Sequence, residues 1–193
     1  MRTGTETKVE LFLIRHGKTK ANLEHRYLGK TDEGLCRQGR IELEGKKKQM
    51  PQIDFLFSGP MKRCLESSRI LFPDQNPIII QEWTEMDFGE FEYKNYRELS
   101  ANDAYQKWID EGGIGAFPKG ESREEFIKRC LSGLEEFKKK MRIYCTEKGK
   151  QTVQTAALVH GGTIMALMSS CQGADYFDYQ TECGSGYTLS VKL

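Results

Sequence analysis

Three short segments of this chain carry residue types suited to chemistry on an anion: Arg15-His16-Gly17, Ser58-Gly59-Pro60-Met61-Lys62-Arg63 and His160-Gly161-Gly162-Thr163. A neutral imidazole is able to attack phosphorus and form a phosphohistidine, which splits a transfer into two easier steps. Arginines bind phosphate oxygens in a planar fork that lysine does not reproduce. Their charge stabilises the transferring group and disfavours imidazolium, which keeps the nucleophile reactive. If the three segments meet, His16, Arg15, Arg63 and His160 share one pocket, with His160 able to donate a hydrogen bond to the transferring group. A leaving alkoxide still requires a proton, so a carboxylic acid should sit close by. The segment Glu82-Trp83-Thr84-Glu85-Met86-Asp87 offers three carboxyls, of which Glu85 is the candidate and Glu82 and Asp87 the competitors.

Such a pocket needs elements that bring distant segments together. Val9 to Ile14, Ile53 to Phe57, Ile78 to Ile80 and Val153 to Val159 are apolar runs of strand length, and Tyr187 to Val191 alternates like a last strand. Strands separated by helical patterns predict an α/β fold with a sheet covered on both faces. The catalytic segments then lie at strand C-terminal ends, the edge where open α/β sheets bind ligands. Each reads as a strand, a glycine turn and a helix start, and Pro60 suits a first helical turn. The longest helix is predicted from a Ser122/Glu125 capping box, with an apolar stripe through Phe126, Cys130, Leu134, Phe137 and Met141, ending by Gly149. Asn95 and Glu98 have similar capping spacing, and Gly112-Gly113 should end a helix containing Tyr105, Trp108 and Ile109. Residues 91–120 therefore read as a short helical lid.

With 193 residues, no internal repeat and no linker, residues 1–193 read as one domain. Basic and acidic residues balance at 29 and 28, which argues against a nucleic-acid surface. Lys46-Lys47-Lys48 and Lys138-Lys139-Lys140 read as solvated helix faces. The six cysteines form no CxxC pair and read as reduced thiols, Cys64 as a packing residue. No stretch is long enough to span a bilayer and Met1 to Lys8 has no signal-peptide core, so a soluble cytoplasmic protein is expected. His25 reads as a surface residue, and a metal site made of His16, His25 and His160 is disfavoured by spacing and by the arginines. Trp83 and Trp108 read as core or lid packing.

The chain resembles the histidine phosphatase superfamily, also called phosphoglycerate-mutase-like. The matches are Leu13-Ile14-Arg15-His16-Gly17-Lys18-Thr19 with Asn22, Ser58-x-Pro60-x-x-Arg63, Glu85-x-x-Phe88-Gly89, Gly120-Glu121-Ser122 and Val159-His160-Gly161-Gly162, in the family's order. The resemblance implies a three-layer α/β/α sandwich with a mostly parallel central sheet. It implies His16 as phosphorylated nucleophile, Arg15, Arg63 and His160 as phosphate pocket, and Glu85 as proton donor and later base. Thr19, Asn22, Gly29 and Gly161 match positions near the bound phosphate. It implies no metal and no cofactor. This chain departs from the family at Ser58-Gly59-Pro60, where the pattern has a second serine, at Phe91-Glu92-Tyr93, where it has Trp-Glu-Gly, and in the loop Gly184-Ser185-Gly186.

What the resemblance implies is a phosphomonoester hydrolase acting on a small phosphorylated metabolite. Arg26 to Asp32 resembles the small branch that includes α-ribazole phosphatases. A mutase carries a longer insertion after the acid with adjacent arginines, whereas residues 86–120 hold only Arg97. A phospho-ligand-binding pseudoenzyme would lack one of the five catalytic positions, and all five are present.

Overall fold

In the computed structural model, which describes residues 7–148 and 152–193, five strands form one sheet in the order β3-β2-β4-β1-β5. They are β1 (Lys8–Arg15), β2 (Phe55–Ser58), β3 (Ile78–Ile79), β4 (Thr152–Val159) and β5 (Gly186–Lys192). β1, β2, β3 and β4 pair in parallel, and β5 runs antiparallel along β1. β1 and β4 are central, which is why they read as near-continuous apolar runs, while the edge strand β5 alternates. Met1 to Glu6 and Gly149, the expected limit of the long helix, lie outside the described residues.

The helices are α1 (Lys20–Leu23), α2 (Arg37–Lys46), α3 (Lys62–Leu71), α4 (Tyr96–Leu99), α5 (Asp103–Asp110), α6 (Arg123–Lys148) and α7 (Gly161–Gln172). Because side chains alternate along a strand, β1 sends Val9, Leu11 and Leu13 to one face and Ile14 to the other. The first face packs on Phe126, Cys130, Phe137 and Met141 of α6 and on Ile164 and Leu167 of α7; the second packs on Leu43 of α2 and Cys64 and Leu71 of α3. The result is the expected three-layer sandwich. Phe57 and Phe137, both fully buried with ring centroids 4.8 Å apart, tie sheet to α6. Burial of each is worth about 1.5–3 kcal/mol.

The capping boxes form as read. Ser122 and Glu125 exchange hydrogen bonds at the start of α6, and Asn95 and Glu98 do so at α4. Gly112, in the left-handed region at φ 72°, follows α5. Residues 91–120 hold two short helices around their own aromatic cluster, in which Phe91, Tyr105 and Phe117 are buried. Three expectations need correction. Pro60 lies before α3, whose N-cap is Met61, so it shapes the turn rather than the first helical turn. The helix after His16 is only four residues and starts at Lys20. Lys46 is not a purely solvated side chain: its Nζ donates to the Cys183 carbonyl at 2.9 Å and to Ser185 Oγ at 2.8 Å. All six cysteines are free thiols, with Cys64, Cys130 and Cys145 buried. No helix among the described residues is long and apolar enough to cross a membrane.

Candidate active site

Parallel pairing puts the C-terminal ends of β1, β2 and β4 side by side. The ladder continues one residue beyond the strands, His16 N–H donating to the Val159 carbonyl and Gly59 N–H to that of Leu158, both at 2.9 Å. His160 is the N-cap of α7, whose helix begins at Gly161. The His16 and His160 rings meet edge to face with centroids 5.1 Å apart. Gly59 replaces the family's serine for a local reason: a Cβ there would lie 2.5 Å from the Trp83 carbonyl oxygen.

Both arginines are fixed by carbonyls. Arg63 is fully buried and donates from Nη1 to Thr31 O at 3.0 Å, from Nη2 to Gly29 O at 2.9 Å and from Nε to His160 Nδ1 at 3.3 Å. Arg15 donates from Nη1 to Thr181 O at 2.7 Å, while its buried Nε has no protein partner. The loop 184–186 is part of this scaffold, since Arg15 N–H donates to Ser185 O and Gly184 N–H to Arg15 O. The buried Arg63 guanidinium and the unpartnered buried Nε of the half-buried Arg15 favour an anionic ligand, and the first turn of α7 adds its free N–H groups.

His16 Nδ1 lies 2.7 Å from the Gly17 carbonyl oxygen, so Nδ1 carries the proton and Nε2 keeps its lone pair. Burial, with the Arg63 charge next and that of Arg15 weaker, holds His16 well below the ordinary imidazole range. Burial and Arg63 do the same to His160. His160 accepts from Arg63 at Nδ1, which places its proton on Nε2, 3.5 Å from Cys64 Sγ. Cys64, read as packing, therefore also touches the second imidazole. Burial pushes its thiol pKa up, so it is no nucleophile.

Glu85, not Glu82 or Asp87, reaches this group. Its Oε2 lies 3.9 Å from His160 Nδ1 and its Oε1 accepts from Met86 N–H at 2.9 Å. Burial pushes its carboxyl pKa up, opposed by the Met86 N–H and the Arg63, Arg15 and Arg129 charges. Asp87 is paired with Lys30 at 2.5 Å instead. The segment carrying Glu85 is held by Arg129, which donates to the carbonyls of Glu82, Thr84 and Glu85. Glu121 in turn grips Arg129 through two bonds of 2.9 and 2.8 Å, which gives the Gly120-Glu121-Ser122 motif its physical purpose. Gly162 packs against the acid: a Cβ there would lie 2.6 Å from Glu85 Oε1 and 3.1 Å from the Phe126 ring. Gly162→Ala is expected to lower kcat/KM on a phosphomonoester by about 10²-fold, because the acid must shift by a fraction of an ångström or more. Steady-state kinetics beside a thermal melt checks this, the melt expected to move little because alanine favours the helix by about 1 kcal/mol.

The weaker sequence candidates take supporting positions. Thr19 is buried and caps α1 with Asn22, whose Oδ1 accepts from Thr19 N–H at 3.0 Å. The Gly29 N–H is occupied by Glu92 Oε1 at 3.0 Å, and its carbonyl holds Arg63. Gly161 lies against Arg15, 3.4 Å from Cζ to an ideal Cβ position. Tyr93, where the family pattern has glycine, takes a left-handed backbone at φ 60° and sends its hydroxyl to Glu33 Oε1 at 3.0 Å. His25 is exposed, Trp83 is fully buried, and Trp108 packs in the lid and lines a cavity beside Glu85. Among the described residues no three His, Cys, Asp or Glu side chains are grouped to hold a metal ion. Sequence reading missed Arg129, Glu92 and the carbonyls of Thr31 and Thr181. Arg129 alone left a signal, two helical turns beyond Glu121.

The chain is similar to known proteins in sequence and in fold. The family model described as Histidine phosphatase superfamily (branch 1) matches residues 11–187. Over 138 residues the chain is 29% identical to the adenosylcobalamin/alpha-ribazole phosphatase of Escherichia coli K12, covering 67% of this chain and 68% of that protein. It is also 29% identical over 168 residues to the 2,3-bisphosphoglycerate-dependent phosphoglycerate mutase 2 of Gloeobacter violaceus, covering 82% and 73%. The crystal structure of the alpha-ribazole phosphatase from Shigella flexneri superposes with a TM-score of 0.74 at 22% identity, covering 91% of this chain and 87% of that one.

Proposed function

The chain belongs to the histidine phosphatase superfamily, branch 1, and from that premise we propose that it hydrolyses phosphomonoesters of small metabolites through a phosphohistidine on His16. The observation that carries the proposal is the 2.7 Å contact of His16 Nδ1 with the Gly17 carbonyl, which leaves Nε2 as a free nucleophile beside the buried Arg63 and the half-buried Arg15. In the first step the Nε2 lone pair forms the N–P bond as the P–O ester bond breaks, and Glu85 gives its proton to the departing alkoxide oxygen. In the second, Glu85 carboxylate takes a proton from water. The water oxygen forms the new P–O bond, and the P–N pair returns to Nε2. Arg15, Arg63 and the α7 N-terminus hold the phosphoryl oxygens throughout, and His160, fully buried beside the His16 ring, closes the pocket and accepts from Arg63. No step calls on a metal. Thr19, Asn22 and Gly29 shape the pocket wall, Gly29 through Arg63, and Gly161 offers its N–H.

Hydrolysis is favoured over mutase chemistry because Arg97, the lid's arginine, is exposed and lines a separate cleft with His25 and Tyr96. The test is release of inorganic phosphate from a panel that includes α-ribazole 5′-phosphate and 3-phosphoglycerate, with mutase product assayed alongside. Turnover undiminished by a chelator and blocked by vanadate is expected. Mutase product without phosphate release would overturn the reading.

The pH profile follows from the two shifted groups. Free enzyme is competent when His16 is neutral and Glu85 is protonated. The acid limb of kcat/KM should therefore lie well below 6.5 and the alkaline limb above 4.5, placing the optimum on the acid side. Glu85→Gln is expected to lower kcat/KM by about 10²- to 10⁴-fold and to erase the alkaline limb. The same substitution should raise Tm at pH 8. A carboxyl whose folded pKa is raised stabilises below its unfolded value and has lost that contribution once pH exceeds the folded one. Near pH 4 the two proteins should melt alike.

A further inference from the structure

Beyond Glu85 the fold continues into a cavity that phosphoryl transfer leaves unused. It encloses about 270 Å³ between the lid and α7, walled by Tyr27, Phe88, Trp108, Phe117, Met165 and Tyr176. Phe88 and Trp108 both meet the Phe117 ring, with centroids 5.1 and 4.8 Å away. Glu85 and Gly162 line the same space, so it begins at the atom that protonates the leaving oxygen. Met165 also walls the neighbouring cleft that holds Arg15 and Gly161, which makes the two spaces adjoin. The opposite side of Glu85 opens on a different surface, where Asp87 and Glu121 are paired with Lys30 and Arg129.

The charge of the cavity is as telling as its shape. Besides Glu85, its one ionic lining group is Arg123 among the described residues. That guanidinium donates from Nη2 to the Gly113 carbonyl at 2.9 Å and lies over the rings of Tyr176 and Phe177, 5.1 and 4.8 Å from their centroids. It ties the lid to α6. A leaving group bearing a carboxylate would meet aromatic walls and the Glu85 carboxyl, with Arg123, bonded to Gly113 and stacked on two rings, as its one cation, whereas an uncharged ring meets complementary surface throughout.

We infer that the alcohol esterified to the phosphate carries a flat, uncharged aromatic ring, seated among these side chains while its oxygen meets Glu85. This rests on the phosphatase reading above and adds the substrate class to it. Offset and edge-to-face ring packing is the favoured geometry for such a guest.

The wild-type protein is assayed for phosphate release from 2-naphthylmethyl, benzyl and n-propyl phosphate, whose alcohols leave with similar ease, and from 3-phosphoglycerate and O-phosphoserine. The arylmethyl esters are expected to exceed n-propyl phosphate in kcat/KM by roughly tenfold or more, with the two carboxylate esters below it. Trp108→Ala should bring the benzyl-to-propyl ratio down toward one. A wild-type ratio near one, or preference for the carboxylate esters, overturns the inference and leaves the phosphatase reading standing. Failure to turn over any of the five overturns that reading, and the inference with it.

Discussion

His16→Ala protein, mixed with a radiolabelled phosphomonoester and quenched within milliseconds, is expected to carry no acid-labile phosphate, while wild type does. Turnover should fall by about 10⁴-fold or more, because the whole two-step route disappears rather than one stabilising contact. Alanine at this position removes a side chain that is only 4% exposed, yet it leaves Arg15, Arg63, Glu85 and the α7 N-terminus in place. The variant should therefore still bind inorganic phosphate or vanadate, which a displacement assay or calorimetry reports. That separation of binding from turnover is the signature of a lost nucleophile. Equal label on the variant, or label resistant to acid, would assign the covalent step elsewhere. Cys64 and His160 are the neighbours such a result would implicate, and both are disfavoured: burial pushes the thiol pKa up, and His160 Nδ1 is engaged by Arg63.

The second large effect is expected at Arg63. Among the described residues no carboxylate lies within ion-pair distance of this fully buried guanidinium, so its charge is carried by carbonyl dipoles and by the fold around them. Arg63→Met should lower kcat/KM by about 10³-fold or more, as expected for losing a charged fork aimed at a transferring phosphoryl group. It should also move His16. Arg63 is the largest charge effect on that imidazole after burial, so its removal raises the His16 pKa and carries the acid limb of the pH profile upward. Arg63→Lys discriminates charge from geometry. It should keep the acid limb low while still losing activity, because an ammonium is a point charge without the fork. An NMR titration of the imidazoles in both variants reads the pKa directly. An unmoved His16 in Arg63→Met would show that burial alone sets its protonation. Loss of the Leu28, Gly29 and Thr31 carbonyl partners would show separately, as a lower Tm in both variants.

How much of this was legible before folding varies with the physics of each feature. The parallel core could be read because strands buried on both faces must be apolar throughout, as Val153 to Val159 nearly is, and because the capping boxes at Asn95 and Ser122 are local bargains among neighbouring residues. His16, Arg63 and His160 were legible because strand-end glycine turns mark the sheet edge and the residue types suit one chemistry. Glu85 was harder. Three carboxyls lie within six residues, and only the packing of Arg129 on the Glu82, Thr84 and Glu85 carbonyls turns one of them toward His160. Gly29 was placed near the phosphate, yet its N–H belongs to Glu92, a partner 63 positions away that no local pattern announces.

Fold class, the placement of Arg15 and both imidazoles at strand ends and of Arg63 at a helix start, and the kind of reaction they suit follow from local periodicity, turn chemistry and residue type. The tertiary structure alone decided which nitrogen of His16 is free, which carboxyl serves it, and what lies beyond that carboxyl. Those outcomes depend on burial and on contacts between segments far apart in the chain: the Gly17 carbonyl fixing a tautomer inside a water-poor pocket, Gly162 leaving room for Glu85, and the rings of Trp108 and Phe117 from the lid meeting Met165 of α7.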